Sequence, residues 1–170
     1  MSAGGAARTD RLVGRPVAAD DRAAFRRLFQ DEQVGATMAG TRTDAEVEAI
    51  VAADVEHWER HGFGCWAWRE AATGRFVARG GLRLVEVDDV GEEVELAYAV
   101  LPRFWGRGHA TEIARFSVGR ALGPLGLADV VALTLPTNAA SRAVMAAAGL
   151  AYERDVVKRG LPHVLYRRRR

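Results

Sequence analysis

The first seven residues of the stretch RFWGRGHATE, positions 103–112, hold two arginines, two glycines and no acid. That composition suits the holding of an anion. Gly106 and Gly108 let backbone N–H groups come close to a ligand. A helix starting near Ala110, with Thr111 in its first turn, adds unpaired N–H groups and a partial positive charge. Arg103 and Arg107 add two full charges, and His109 adds another when protonated. Together they make a socket for a diphosphate that needs no lysine. The triphosphate loop is excluded, since no Gly-Lys-Ser or Gly-Lys-Thr occurs. The dinucleotide fingerprint fails too, because Thr111 stands where a small residue is required and residues 101–105 separate the glycines from the strand before them. From the loop alone, a plain turn with exposed arginines stays open.

A second group, His57, His61 and Cys65, has a spacing similar to metal ligation. Gly62 and Gly64 break the helix before Cys65, and a fourth ligand is not evident, so no metal is expected. A helix end with a histidine near its C-terminal dipole is the preferred reading.

The elements that must position these residues follow from patterning. Thr43 and Glu46 form a capping box for a long amphipathic helix with Val47, Ile50, Val51, Val55 and Trp58 at apolar positions, ended by Gly62 and Gly64. Before it, 11–17 reads as a strand and Asp20 caps a short helix carrying Phe25, Leu28 and Phe29. Residues 64–70, 75–87 and 94–100 read as three strands. The paired glycines Gly80 and Gly81 point to a bulge or a close backbone approach. After the loop come a helix over 110–122, a buried strand over 129–135 and an alanine-rich helix over 138–148 closed by Gly149. A hairpin turning at Arg159-Gly160 ends the order. Residues 11–166 are expected to form a single domain, 1–10 a flexible N-terminus and 167–170 a solvated basic C-terminal tail.

Lys+Arg 24 against Asp+Glu 22 in 170 residues leaves a net charge of +2, which argues against a nucleic-acid partner. The single cysteine forms no internal disulfide, and no apolar run approaches the ~18 residues of a membrane span. A soluble, cytoplasmic protein without membrane association is expected.

The segment VELAYAVLPRFWGRGHATE resembles the acetyl-CoA-binding segment of the GCN5-related N-acetyltransferases (GNAT), whose signature is Gln/Arg-x-x-Gly-x-Gly/Ala. Arg103, Gly106 and Gly108 occupy its fixed positions. TLPTNAASRAVMAAAGL supplies the asparagine after the next strand, Asn138, and a helix ending in Gly149-Leu150. RTDRLVGRPVAADD, HWERHGFGCWAW and the NxxS string resemble the RimJ/RimL branch, the ribosomal-protein alanine acetyltransferase type. The fold implied is α+β, a central mixed, mostly antiparallel sheet of about seven strands flanked by about four helices that splays open beside the glycine loop.

The resemblance implies acetyl transfer from acetyl-CoA, as co-substrate, to a primary amine by direct nucleophilic attack. The acceptor is a protein N-terminus or a small amine, and a homodimer is allowed for. Ala99 and Val100 would offer backbone groups to the pantetheine arm, and the loop from Arg103 to Thr111 would hold the pyrophosphate. Asn138 and Ser141 would approach the arm near the sulfur. Glu95 is the favoured base, with Glu93 in reserve on the same side, and a solvated acidic patch is the alternative. The tyrosine that often serves as the acid is replaced by Met145, so the Ser141 hydroxyl is the favoured donor and Tyr152 a distant third. Trp58 would help form the acceptor side, unless it packs in the core with Trp66 and Trp68. A catalytically silent acyl-CoA-binding sensor on the same fold is the alternative function, and a nucleic-acid module using the terminal arginines a third.

Overall fold

A computed structural model of the chain describes residues 5–170. Among the described residues, eight strands form one sheet in the order β1-β2-β3-β4-β5-β6-β8-β7. The strands are β1 (Ala7–Arg8), β2 (Leu12–Pro16), β3 (Cys65–Glu70), β4 (Phe76–Val87), β5 (Gly91–Val100), β6 (Asp129–Thr134), β7 (Ala151–Lys158) and β8 (Leu161–Arg169). All neighbours are antiparallel except β5 and β6, which run parallel. The helices are α1 (Arg22–Phe29), α2 (Glu32–Thr37), α3 (Asp44–His61), α4 (His109–Leu122) and α5 (Ala139–Ala147).

Local chemistry sets several boundaries. The Thr43 hydroxyl accepts from Glu46 N–H, the Glu46 carboxylate accepts from Thr43 N–H at 2.7 Å, and Gly62 closes α3 at φ +70°. The extra helix α2 is 6 residues long and capped by Asp31, which accepts from Gln33 and Val34 N–H. Its six residues are too few to show a period.

Both ends depart from expectation. Residues 1–4 lie outside the described residues, but Ala7 and Arg8 pair with Gly14 and Val13 as an edge strand, so the flexible N-terminus does not reach residue 10. The supposed C-terminal tail is strand, since residues 167–169 pair with β6. Arg167 is drawn in by acids on the neighbouring strands: its side chain is 9% exposed and donates to Glu93, Asp129 and Glu153 at 2.8–3.1 Å. Arg168 donates to the Ala148 carbonyl at 2.9 Å and caps the end of α5.

Side-chain alternation places α3 and α4 on opposite faces of the sheet. Arg79 of β4 meets Asp54 of α3, whereas Gly80 lies under Ile113 of α4. The paired glycines are therefore close approaches, and the register shifts sit elsewhere: Val77 of β4 is extra opposite Trp68 and Arg69, and another shift lies between Tyr152 and Arg154 of β7. A Cβ on Gly81 would clash with the Gly64 carbonyl and lie 2.7 Å from Cys65 Cα. Gly81→Ala is expected to cost about 1–3 kcal/mol, the usual range for overpacking, measurable by urea unfolding.

β5 and β6 register at one pair only, Glu95 with Val131. Beyond it the two strands part, and the edge of β5 from Leu96 to Val100 faces an opening.

Candidate active site

That opening leads into the glycine loop. A short helical turn, Pro102–Phe104, ends β5, and Gly106 and Gly108 then take left-handed backbone at φ +69° and +80°. Such values cost glycine little and other residues more. The helix begins at His109, one residue before the expected start, with Gly108 as its N-cap. The first bond closing it runs from Glu112 N–H to the Gly108 carbonyl at 3.0 Å, so the N–H groups of His109, Ala110 and Thr111 lie ahead of the ladder. Arg103 and Arg107 are exposed, each with its guanidinium over the Phe104 ring at 4.9 and 5.8 Å.

Two residues missed in the sequence hold this loop. Arg11 donates to the Arg107 carbonyl at 2.7 Å and pairs with Glu112 at 2.7 Å. Thr9 donates to the same carboxylate. The acid in the first turn of α4 is thereby neutralised beside the socket. No pattern could announce partners 101 residues apart.

His109 departs from its expected role. It is 5% exposed and packs edge-on against Phe104 at 5.8 Å. Burial, then the nearby Arg11 charge, holds its pKa below the usual histidine value. It adds no positive charge near neutral pH.

The strand edge differs from expectation as well. Leu101 N–H donates to the Val77 carbonyl of β4, and antiparallel ladders alternate, so the peptide groups of Ala99 also turn toward β4. Those of Tyr98 and Val100 turn to the opening. The Val100 carbonyl is already taken by the Trp105 indole N–H at 2.7 Å. Tyr98 and Val100 N–H, rather than Ala99, are thus the groups free to meet an extended ligand.

Across the opening stands α5. Asn138 is its N-cap, its side-chain oxygen accepting from Ser141 N–H at 3.0 Å. The Tyr98 hydroxyl lies 2.9 Å from Ser141 Oγ and 3.0 Å from the Ser141 carbonyl. Met145 is buried in the core beneath. Tyr152, the third candidate acid, is exposed and donates to Asp155 at 3.0 Å.

The two carboxylates do share a face of β5, but both are engaged. Glu95 is 3% exposed and accepts from Arg83 at 2.7 Å and Lys158 at 2.9 Å. Burial alone would raise its pKa. The Arg83 and Lys158 charges and hydrogen bonds outweigh burial and hold it below the ordinary carboxylate value. A carboxylate so held accepts protons poorly, so the base role does not suit Glu95. Glu93 is bound by two nitrogens of Arg167 at 2.8 and 3.0 Å, which leaves the reserve candidate no freer.

Trp58 belongs to the packing. Its indole N–H donates to the Cys65 carbonyl at 2.6 Å and its ring lies edge-on to Trp66 at 5.3 Å. Cys65 is buried, which pushes its thiol up to about 12. His57 spends both nitrogens on backbone: Nε2 accepts from Leu84 N–H at 3.0 Å, so Nδ1 carries the proton given to the Phe63 carbonyl at 2.8 Å. Among the described residues no group of three or more His, Cys, Asp or Glu could hold a metal ion, and no helix is long and apolar enough to cross a membrane.

This use of His57 has a pH consequence. Burial leads in lowering its pKa, and protonation would set a second N–H against that of Leu84. The folded state therefore resists a proton that the unfolded chain accepts near pH 6.5. Its contribution is complete above that pH and is lost as pH falls. Glu95, with its lowered pKa, adds a further loss as pH drops below its unfolded value of about 4.3. Melting temperature is expected to hold between pH 7 and 8 and to decline from about pH 6.5 downward. A His57→Asn variant should melt lower at pH 8 but with a shallower acid-side decline.

The chain matches the acetyltransferase (GNAT) domain over residues 11–151, from the start of β2 to the start of β7. It belongs to that family. Among curated proteins it is similar to the FsC-acetyl coenzyme A-N(2)-transacetylase of Aspergillus fumigatus, 36% identical over 155 residues. The match covers 85% of this chain and 64% of that protein, so this GNAT chain spans less than two thirds of the relative's length. Among solved structures it resembles an acetyltransferase from Agrobacterium tumefaciens, with a TM-score of 0.86 and 23% identity over 97% of this chain and 94% of that one. The ribosomal-protein-S5-alanine acetyltransferase from Vibrio fischeri shares the fold at a TM-score of 0.74 and 13% identity, with 96% of each chain covered. The observed sheet and helices are the mixed α+β fold of the family, with one more strand and one more helix than expected.

Proposed function

We propose that this GNAT chain is an acetyl-CoA-dependent N-acetyltransferase that transfers acetyl to a primary amine by direct attack. One observation carries this: the open edge of β5 is followed, after the single turn Pro102–Phe104, by a left-handed glycine loop at a helix N-terminus. An extended arm can pair with the N–H groups of Tyr98 and Val100 while its diphosphate meets the N–H groups of residues 107–111, with Arg103 and Arg107 alongside. Asn138 and Ser141 then stand across the arm.

The chemistry needs a neutral amine, a donor for the developing oxyanion and help for the departing thiolate. A free N–H at the open strand edge serves the oxyanion. With Glu93 and Glu95 engaged, the amine's proton leaves through water. Ser141 assists the sulfur. No covalent enzyme intermediate is involved. The name of the Aspergillus relative, FsC-acetyl coenzyme A-N(2)-transacetylase, favours a nitrogen acceptor. The stretches similar to the RimJ/RimL branch favour a protein N-terminus. A single buried thiol suits a reducing, cytoplasmic compartment.

Calorimetric titration with acetyl-CoA, with ATP and NADH as controls, tests the coenzyme. Thiol release is then followed over a panel of small amines and peptides. Micromolar binding of acetyl-CoA alone, followed by release with one acceptor class, is the expected result. Binding without release on any acceptor would favour an acyl-CoA sensor. Folded protein that binds no acetyl-CoA would overturn both.

A further inference from the structure

Tyr98 and Ser141 are 43 residues apart and meet where β5 and β6 separate. Tyr98 lies three residues beyond the single β5–β6 bridge. Its ring packs against the cluster of Leu82, Leu96, Val118 and Met145. Its hydroxyl emerges beside the first turn of α5, and Asn138 holds the Ser141 backbone there. The phenol has one hydrogen and two acceptors within reach, the Ser141 carbonyl at 3.0 Å and Oγ at 2.9 Å. That carbonyl already serves the helix ladder through the residue four ahead. Ser141 Oγ has no such partner. When the phenol hydrogen points to Oγ, the serine's own hydrogen is free to turn into the opening.

We propose that Tyr98 is a positioning residue, whose phenol hydrogen bonds to Ser141 Oγ and so aims the serine hydroxyl at the sulfur of the departing coenzyme A thiolate. This rests on the acetyl-CoA function proposed above. The step balances without an alkoxide. The amine nitrogen forms the new C–N bond, the C–S bond breaks with its electron pair going to sulfur, and Ser141 donates a hydrogen bond to that charge while keeping its proton. The amine's surplus proton leaves to water, and water returns one to the thiolate. Burial raises the Tyr98 pKa to about 12, so the phenol stays a donor throughout the working pH range.

The test uses coenzyme A itself and needs no acceptor. The thiolate absorbance of bound coenzyme A is titrated in the wild type, Tyr98→Phe and Ser141→Ala, with affinity measured by calorimetry at neutral pH. A hydrogen bond to the ionised sulfur should bring the bound thiol's titration roughly one pH unit below that of free coenzyme A. Both variants should lose this shift, and Tyr98→Phe, which keeps the backbone N–H beside the arm, should bind the thiol form within about threefold of wild type, less than the tenfold that one full hydrogen bond can carry. Tyr98→Phe keeps the ring in the core, so unchanged affinity reports an intact site. A shift that survives in Tyr98→Phe, or that is absent in a wild type that binds coenzyme A, overturns the proposal. Failure of the folded wild type to bind coenzyme A overturns the acetyl-CoA function instead, and the proposal with it.

Discussion

Asp54→Ala is expected to destabilise the protein by about 3–5 kcal/mol, because it strips the partner from a buried guanidinium. Arg79 is 5% exposed, and its Nε and Nη2 donate to the two Asp54 carboxylate oxygens at 2.6 Å each. The pair pins α3 to the middle of β4, next to Ala99 in the sheet. Removal of one charge leaves the other without water or counter-ion. In a domain of this size the loss should lower the melting temperature by roughly 6–20 °C. The double variant Asp54→Leu with Arg79→Met should recover most of it, since apolar side chains of similar volume often replace a buried ion pair at little cost. Thermal and urea unfolding of the three proteins decide the matter. A single variant within 1 kcal/mol of wild type would mean that water reaches Arg79 and the pair is not sealed.

Gly108→Glu should weaken acetyl-CoA binding by about 100-fold or more while leaving the fold in place, the equivalent of two charge-assisted hydrogen bonds lost. The position has φ +80°, where a residue with a Cβ is strained, and an added Cβ would lie 3.3 Å from the Arg11 guanidinium. Relief of that strain moves the N-cap of α4 and turns away the N–H groups proposed to meet the diphosphate. The new carboxylate adds repulsion toward the ligand. Gly108→Ala separates the backbone part from the charge and should lose about tenfold, or about 1.4 kcal/mol. Gly119 supplies the control. It lies within α4, and a Cβ there meets nothing within 4 Å. Gly119→Ala should stabilise the protein by about 0.5–1 kcal/mol and leave binding unchanged. Equal affinity of Gly108→Glu and wild type would remove the loop from the coenzyme site.

The glycine loop and the helix start behind it were legible because their parts are neighbours in the chain. Glycines two apart, flanking arginines and a following helix act through backbone geometry, so residues 103–111 can be read in order. The capping box at Thr43 and Glu46 and the glycine closing α3 are local in the same way. Glu95 shows the limit. As one acid among Glu92, Glu93 and Glu95 it looked free, yet Lys158 reaches it from a strand 63 residues on. The four terminal arginines also looked solvated until the sheet order set Arg167 among Glu93, Asp129 and Glu153.

The sequence by itself determined the run of elements from β2 to the last hairpin, α2 excepted, and the place of the glycine loop. Those depend on side-chain periodicity, caps and glycine backbone, which act over a few residues. Only the tertiary structure decided which polar groups are free. It engaged Glu93 and Glu95 with arginine and lysine, kept His109 neutral in an apolar contact and turned Ala99 toward β4. It also brought Tyr98 to Ser141. Each outcome depends on which strands and helices lie side by side, and the free energy of a charge or hydroxyl follows its neighbours and its burial rather than its place in the chain.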